Sequence, residues 1–235
     1  GDPFNVFIDQ CQKKDEKAFI SFRMNDIHHL ARVTIKGNSV CPHAICRFYA
    51  EHPEYRLGKD KDHWISWFEW LQDWSIPAVR EYKYKLIEEI CLNYDIDGFE
   101  MDFMRAPGFF IQPKTTSEQR RQIMTHFVKR VRRTLDKGAK PGQYRWLSVR
   151  MPNNPDKFDA IGFDLPALYD AGVDMFVLSG SYYIQQQNGL RQIVEMVPEA
   201  AVYNEIDYVI RNFIENKDTD RKDYFRYATP EQLWT

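Results

Sequence analysis

From Ala18 to Ile206 the sequence alternates short apolar runs of strand length with amphipathic stretches of helical spacing, and no two runs are joined by a two-residue hairpin turn. Strands separated by helices pair in parallel through crossover connections rather than as hairpins. The strand-like runs are 18–24, 97–105, 146–151, 173–178 and 201–206. Helical periodicity appears over 4–14, from Ser75 and Pro77 through Val79, Tyr82, Leu86, Ile87 and Ile90, from Thr116 or Ser117 to Leu135, and over 165–170 and 190–197. Gly138 and Pro141 stop the third of these helices.

This order predicts an α/β fold, a (β/α)8 TIM barrel that is incomplete, with its first and last strands outside the sequence. A cap, a first-turn proline and a capping-box glutamine at Thr229, Pro230 and Gln232 announce a helix just before Thr235, which supports that expectation. The whole of 1–235 is read as one partial barrel domain, with a long excursion over 25–74 that is too long for a simple connection. The alternative is a five-stranded doubly wound sheet, which needs no further strands.

Within the second run, Asp97-Gly98-Phe99-Glu100-Met101-Asp102-Phe103-Met104-Arg105, side chains alternate. Phe99, Met101 and Phe103 form a packing face, while Glu100, Asp102 and Met104 point the other way. Unpaired buried carboxylates are costly, so two acids near the C-terminal end of a core strand need either cationic partners or a chemical role. Arg23, Arg105 and Arg150 are the available partners. The C-terminal ends of parallel strands are also where barrels and open sheets carry their sites.

A net charge of −2 and a sequence pI near 6.3 give no general attraction to nucleic acid. No apolar run is long enough to span a membrane, and no export signal is present in the sequence. Four cysteines are too few for a disulfide scaffold in 235 residues. Cys11 and Cys91 fall at core positions of helices, and Cys41 and Cys46 are close enough to pair. His28, His29, His43, His52 and His63 share the excursion with these two, yet Cys-x4-Cys matches no common zinc spacing, and neither a metal nor a cofactor is expected. Trp64, Trp67, Trp70 and Trp74 recur at helical spacing, as a core stripe or as a platform for sugar rings. Lys129-Arg130-Val131-Arg132-Arg133 reads as the solvated face of an outer helix.

Ser21-Phe22-Arg23-Met24-Asn25-Asp26-Ile27-His28-His29, the acidic strand, and Ser148-Val149-Arg150-Met151-Pro152 together resemble the family 10-like glycoside hydrolases, barrels common in Bacteroidetes and Planctomycetes. The resemblance implies a (β/α)8 barrel, action on a polysaccharide, and an exported protein, periplasmic or extracellular. Comparison with chitinase-like barrels puts Met104 where their acidic run ends in a glutamate, which disfavours that mechanism. In α-amylase-like barrels an aspartate after a Gly-Phe-x-x-Asp pattern is the nucleophile, and Gly98-Phe99-Glu100-Met101-Asp102 is similar, with Glu100 where a basic residue is usual.

Glycoside hydrolysis needs two carboxyl groups flanking the bond, about 5 Å apart for retention and about 6.5–9.5 Å for inversion. Residues i and i+2 of one strand project in parallel, so the partner of Asp102 is expected from another strand. The expected catalytic set is Asp102 as nucleophile or base, Glu205 as general acid and Glu100 as the group that orients or tunes them. Arg23, Asn25, Asp26, His28, His29, Arg105, Arg150, Ser179, Tyr182 and Asn204 are the candidate substrate-binding residues at neighbouring strand ends and loops, where Arg, Asn and Asp suit sugar hydroxyls. The expected partner is a carbohydrate substrate, with no nucleic acid and no membrane-spanning segment. The alternatives are a non-catalytic carbohydrate-binding barrel and a metal-dependent hydrolase with an ion near His28, His29 and Asp102.

Overall fold

A computed structural model describes residues 1–26, 46–58, 66–179 and 188–204. Five strands, β1 (Phe19–Arg23), β2 (Gly98–Asp102), β3 (Trp146–Pro152), β4 (Met175–Ser179) and β5 (Ala201–Asn204), form one sheet whose spatial order repeats the chain order. Every neighbouring pair is parallel. A doubly wound sheet reverses its strand order at a switch point, and the five described strands have none. The α/β fold is therefore five parallel strands alternating with helices, in the sequential order of a barrel arc.

The helices are α1 (Pro3–Lys13), α2 (Arg47–Glu51), α3 (Pro77–Asn93), α4 (Ser117–Lys137), α5 (Phe158–Ile161), α6 (Leu165–Asp170) and α7 (Asn188–Met196). Of the two expected caps of α4, Thr116 is the one used, and it closes a capping box: Gln119 N donates to Thr116 Oγ1 at 3.2 Å and Thr116 N to Gln119 Oε1 at 2.9 Å. Ser75 does not cap α3. Its amide donates to Asp73 Oδ1 at 2.8 Å, and Ile76 occupies the cap without a side-chain acceptor. β4 begins two residues later than its apolar run suggests, because Val173 N bonds Leu168 O at 3.2 Å and closes α6 instead.

One face of the sheet is apolar and covered by helices. Phe99, Met101, Leu147, Val149, Met151, Phe176 and Leu178 are fully buried there against Val79, Ile87 and Cys91 of α3 and Met124, Val128, Val131 and Leu135 of α4. Trp74 belongs to this core, with its ring against Phe103, Phe109 and Phe127. Trp70, half-buried, packs against a smaller apolar cluster under the Arg56 guanidinium, so the tryptophan stripe splits between two clusters. Trp64 lies outside the described residues.

The Lys129–Arg133 run also departs from its expected solvated face. Val131 is core, and Arg132 is buried. Its guanidinium meets Asp136, Asp174 Oδ2 at 3.2 Å and the carbonyl of Arg145 at 2.7 Å. Arg145 is itself buried and donates to the carbonyls of Cys91 at 2.7 Å and Tyr94 at 3.1 Å. Asp97 accepts from Ala18 N at 3.0 Å, and Asp174 from Leu147 N at 2.7 Å. These groups tie the N-terminal ends of the strands to the helix ends below them.

Candidate functional site

The opposite face of the sheet is polar, and its composition follows from register. Ser21-Phe22-Arg23, Glu100-Met101-Asp102 and Ser148-Val149-Arg150 each read polar, apolar, charged. The pairing sets them side by side, Ser21 with Glu100 and Ser148, Arg23 with Asp102 and Arg150. Two polar rows result, the second one rung nearer the C-terminal ends of the strands.

In the first row Ser21 Oγ donates to Glu100 Oε1 at 2.7 Å, and Ser148 Oγ to Glu100 Oε2 at 3.4 Å. Each carboxylate oxygen thus receives a neutral hydroxyl. Among the described residues Glu100 makes no ion pair. A half-buried carboxylate held only by hydroxyls keeps its full charge available to whatever occupies the space above it.

Asp102 is held differently. It is buried, and three donors converge on Oδ1: the amides of Met104 at 2.8 Å and Arg105 at 3.2 Å, and Arg150 Nη1 at 3.2 Å. The two amides come from the turn that leaves β2, so the strand end itself sets the carboxylate's orientation. Oδ2 accepts no hydrogen bond among the described residues, although it is not sealed in the core. Arg150 is fixed in turn by donating from Nη2 to Ser179 Oγ at 2.9 Å. A chain of contacts therefore runs from β2 through β3 to β4, ending on buried Ser179.

The remaining candidate residues divide. Arg23 shares the Asp102 rung, but its Nη1 bonds Asp26 Oδ2 at 2.7 Å, so the partner that reaches Asp102 is Arg150. Asn25 is buried and engaged with main chain. Its Nδ2 donates to the carbonyls of Gln72 at 3.1 Å and Gly108 at 2.9 Å, and its Oδ1 accepts from Gln72 N at 3.3 Å. It braces the exit of β1 against the segments before α3 and after β2. Arg105 is exposed beside Asp102, with its amide in the Oδ1 set. Asn204 shares a rung with Leu178, on the apolar side of the sheet, and its Oδ1 is buried without a partner among the described residues. His28, His29, Tyr182 and Glu205 lie outside the described residues, as do Cys41, His43 and His63. Among the described residues no three His, Cys, Asp or Glu side chains gather as metal ligands do.

Three residues on this face escaped the sequence reading: Ser21, Ser148 and Tyr203. Tyr203 pairs with Val177, which pairs with Arg150, so it ends the Asp102 row, exposed on β5. The repeated polar-apolar-charged triplets carried the signal for the two serines. It becomes readable only when the three strands are set in register.

No family model matches the sequence, and no curated protein matches it. Among the described residues no helix is long and apolar enough to cross a membrane. Among solved structures the chain is similar to an α-amylase from Anoxybacillus, whose structure was described as giving insight into a new glycosyl hydrolase subclass. The identity is 13% and the TM-score 0.47, over 84% of this chain and 40% of that one. The chain thus spans less than half the length of that α-amylase.

Proposed function

We propose that this chain carries the strand-end carboxylates of a glycoside hydrolase that cleaves a complex polysaccharide, with Asp102 as nucleophile or general base. One observation carries the reading: Asp102 is oriented through a single oxygen by two strand-end amides and Arg150, while its other oxygen has no partner among the described residues. The amides and Arg150 fix the carboxylate through one oxygen, and attack on an anomeric carbon or a water requires the free, aimed oxygen that this leaves. The resemblance of the three strand motifs to family 10-like glycoside hydrolases points the same way.

Glu100 projects from the same strand as Asp102 and cannot stand across a substrate from it, so its role is to bias the charge of the cleft from one rung below. Glu205 is the proposed general acid, one residue beyond the end of β5. Arg23, Asp26, Arg105, Arg150 and Tyr203 supply donors, acceptors and a ring around this space for sugar hydroxyls and sugar faces. An exported location goes with a polysaccharide substrate and is part of the proposal.

The test is turnover of a broad polysaccharide panel by the chain and its Asp102→Asn variant, with circular dichroism confirming equal folding. A fall in kcat of about 10³-fold or more supports the reading. Turnover that survives the change removes Asp102 from the chemistry. Saturable binding of a polysaccharide without turnover by either protein replaces the enzyme with a carbohydrate-binding barrel.

A further inference from the structure

The basic side chains of α4 do not all share the fate of Arg132. His126, Arg130 and Arg133 fall on one stripe at spacings of four and three residues, beside the core stripe that carries Phe127. That stripe forms one wall of a groove of about 580 Å³ between α3 and α4, outside the sheet. Arg80 in the first turn of α3 and Lys114, just before α4, complete its cationic lining, and Phe127 contributes to its apolar floor. Among the described residues no carboxylate lines the groove and no strand residue contributes to it.

Two of the four arginine and lysine side chains are already engaged. Arg130 is clamped on Glu81 at 2.5 and 3.2 Å with its guanidinium over the Tyr84 ring, and Arg80 donates to the carbonyl of Trp74. Lys114, His126 and Arg133 make no side-chain hydrogen bond or ion pair among the described residues. Elsewhere on the same helices charges are paired at short range, Lys85 with Glu88 at 2.9 Å and Arg121 with Glu118 at 3.8 Å. Concave surroundings lined by one sign of charge concentrate the field; Glu81 offsets Arg130, and the charges of Lys114 and Arg133 are left without an acid partner among the described residues.

We propose that this groove binds a multiply charged oxyanion, a phosphate or sulfate group present either as a free ion or as an ester on a larger molecule. Lys114 stands at the end of the groove where α4 begins and Arg133 towards its other end, about 24 Å further along α4, so a polyanion carrying several such groups meets both while a single group meets one. The site is independent of the polar face that holds Asp102, so it stands or falls without reference to polysaccharide cleavage.

Binding of inorganic pyrophosphate and of dextran sulfate, with neutral dextran as control, tests the proposal by calorimetry at constant ionic strength. The expected result is saturable binding of at least one charged probe. Lys114→Gln and Arg133→Gln should each weaken it about threefold and the double variant about tenfold, with thermal midpoints unchanged. Lys129→Gln, an exposed cation on the same helix outside the groove, should change nothing. Tighter binding of pyrophosphate identifies a free-ion site, and binding of dextran sulfate alone identifies an ester site. Absence of saturable binding by both probes overturns the proposal, as does an equal loss on Lys129→Gln, which would reduce the effect to diffuse surface charge.

Discussion

At the N-terminal end of the sheet, the guanidinium groups of Arg132 and Arg145 reach main-chain carbonyls of Arg145, Cys91 and Tyr94, and the acids Asp97 and Asp174 accept from strand-opening amides. At the C-terminal end, Arg150 bonds the side chains of Asp102 and Ser179, and Arg23 bonds Asp26. Both ends hold buried or half-buried arginine and aspartate, and at both ends the carboxylates accept main-chain amides, but each lower guanidinium also reaches a main-chain carbonyl while Arg150 reaches the side chains of Asp102 and Ser179. A cation tied to carbonyls braces the backbone; Arg150 braces a carboxylate whose second oxygen has no partner among the described residues. The difference shows why charge burial alone does not mark a site, and why the identity of the partner does.

The sharpest way to break this contrast is Asp102→Asn. It should lower polysaccharide turnover about 10³-fold while moving the thermal midpoint by no more than about 3 °C. Unfolding of the variant would place Asp102 with the stabilising set. Arg145→Leu is the mirror experiment. It leaves two buried carbonyls without their donor and should cost about 3 kcal/mol in urea denaturation, with kcat per folded molecule unchanged. A proportional loss of kcat would join the two ends of the sheet.

Smaller effects refine the picture. Glu100→Gln keeps hydrogen-bonding capacity for Ser21 and Ser148 and removes only charge, so it should shift the pH dependence of kcat with a stability change under about 1 kcal/mol. Asp95 belongs to the lower set: the hydrogen bond from Lys140 at 2.6 Å, with help from Gln12, holds its carboxyl below the usual aspartate range. A lowered value means that its stabilisation is complete above the ordinary aspartate pKa near 4 and is lost as pH falls through the lowered value. Urea midpoints measured across this acid range should therefore fall less steeply for Asp95→Asn than for the parent, with a difference at neutral pH of about 0.5 kcal/mol or less. An unchanged acid slope would remove Asp95 from the stabilising set.

Much of the fold was legible because its signals are local. The period-two pattern of Phe99, Met101 and Phe103 gives a packing face whatever its neighbours are, and Thr116 with Gln119 closes a capping box within one turn. The acidic face of β2 followed from the same alternation. The partner of Asp102 did not, since Arg23, Arg105 and Arg150 were equal candidates by type, and the choice rests on where β1 and β3 lie and how their side chains are already engaged. Asn25 illustrates the same limit. By sequence it is a polar residue after a strand end, and by structure it is a brace whose three bonds reach residues 47 and 83 positions away.

Residue order alone dictates which segments form strands and helices, which face of each turns inward, and that two acids share one face of β2, because these depend on steric and hydrophobic periodicities of a few residues. The assembled sheet decides that Ser21, Glu100 and Ser148 form one row, that Asp102 meets Arg150, and that Arg132 is sealed beneath the sheet while Arg133 faces a groove. Those outcomes depend on register between strands tens of residues apart. Register is set by the combined burial of every strand at once, and no local pattern contains it.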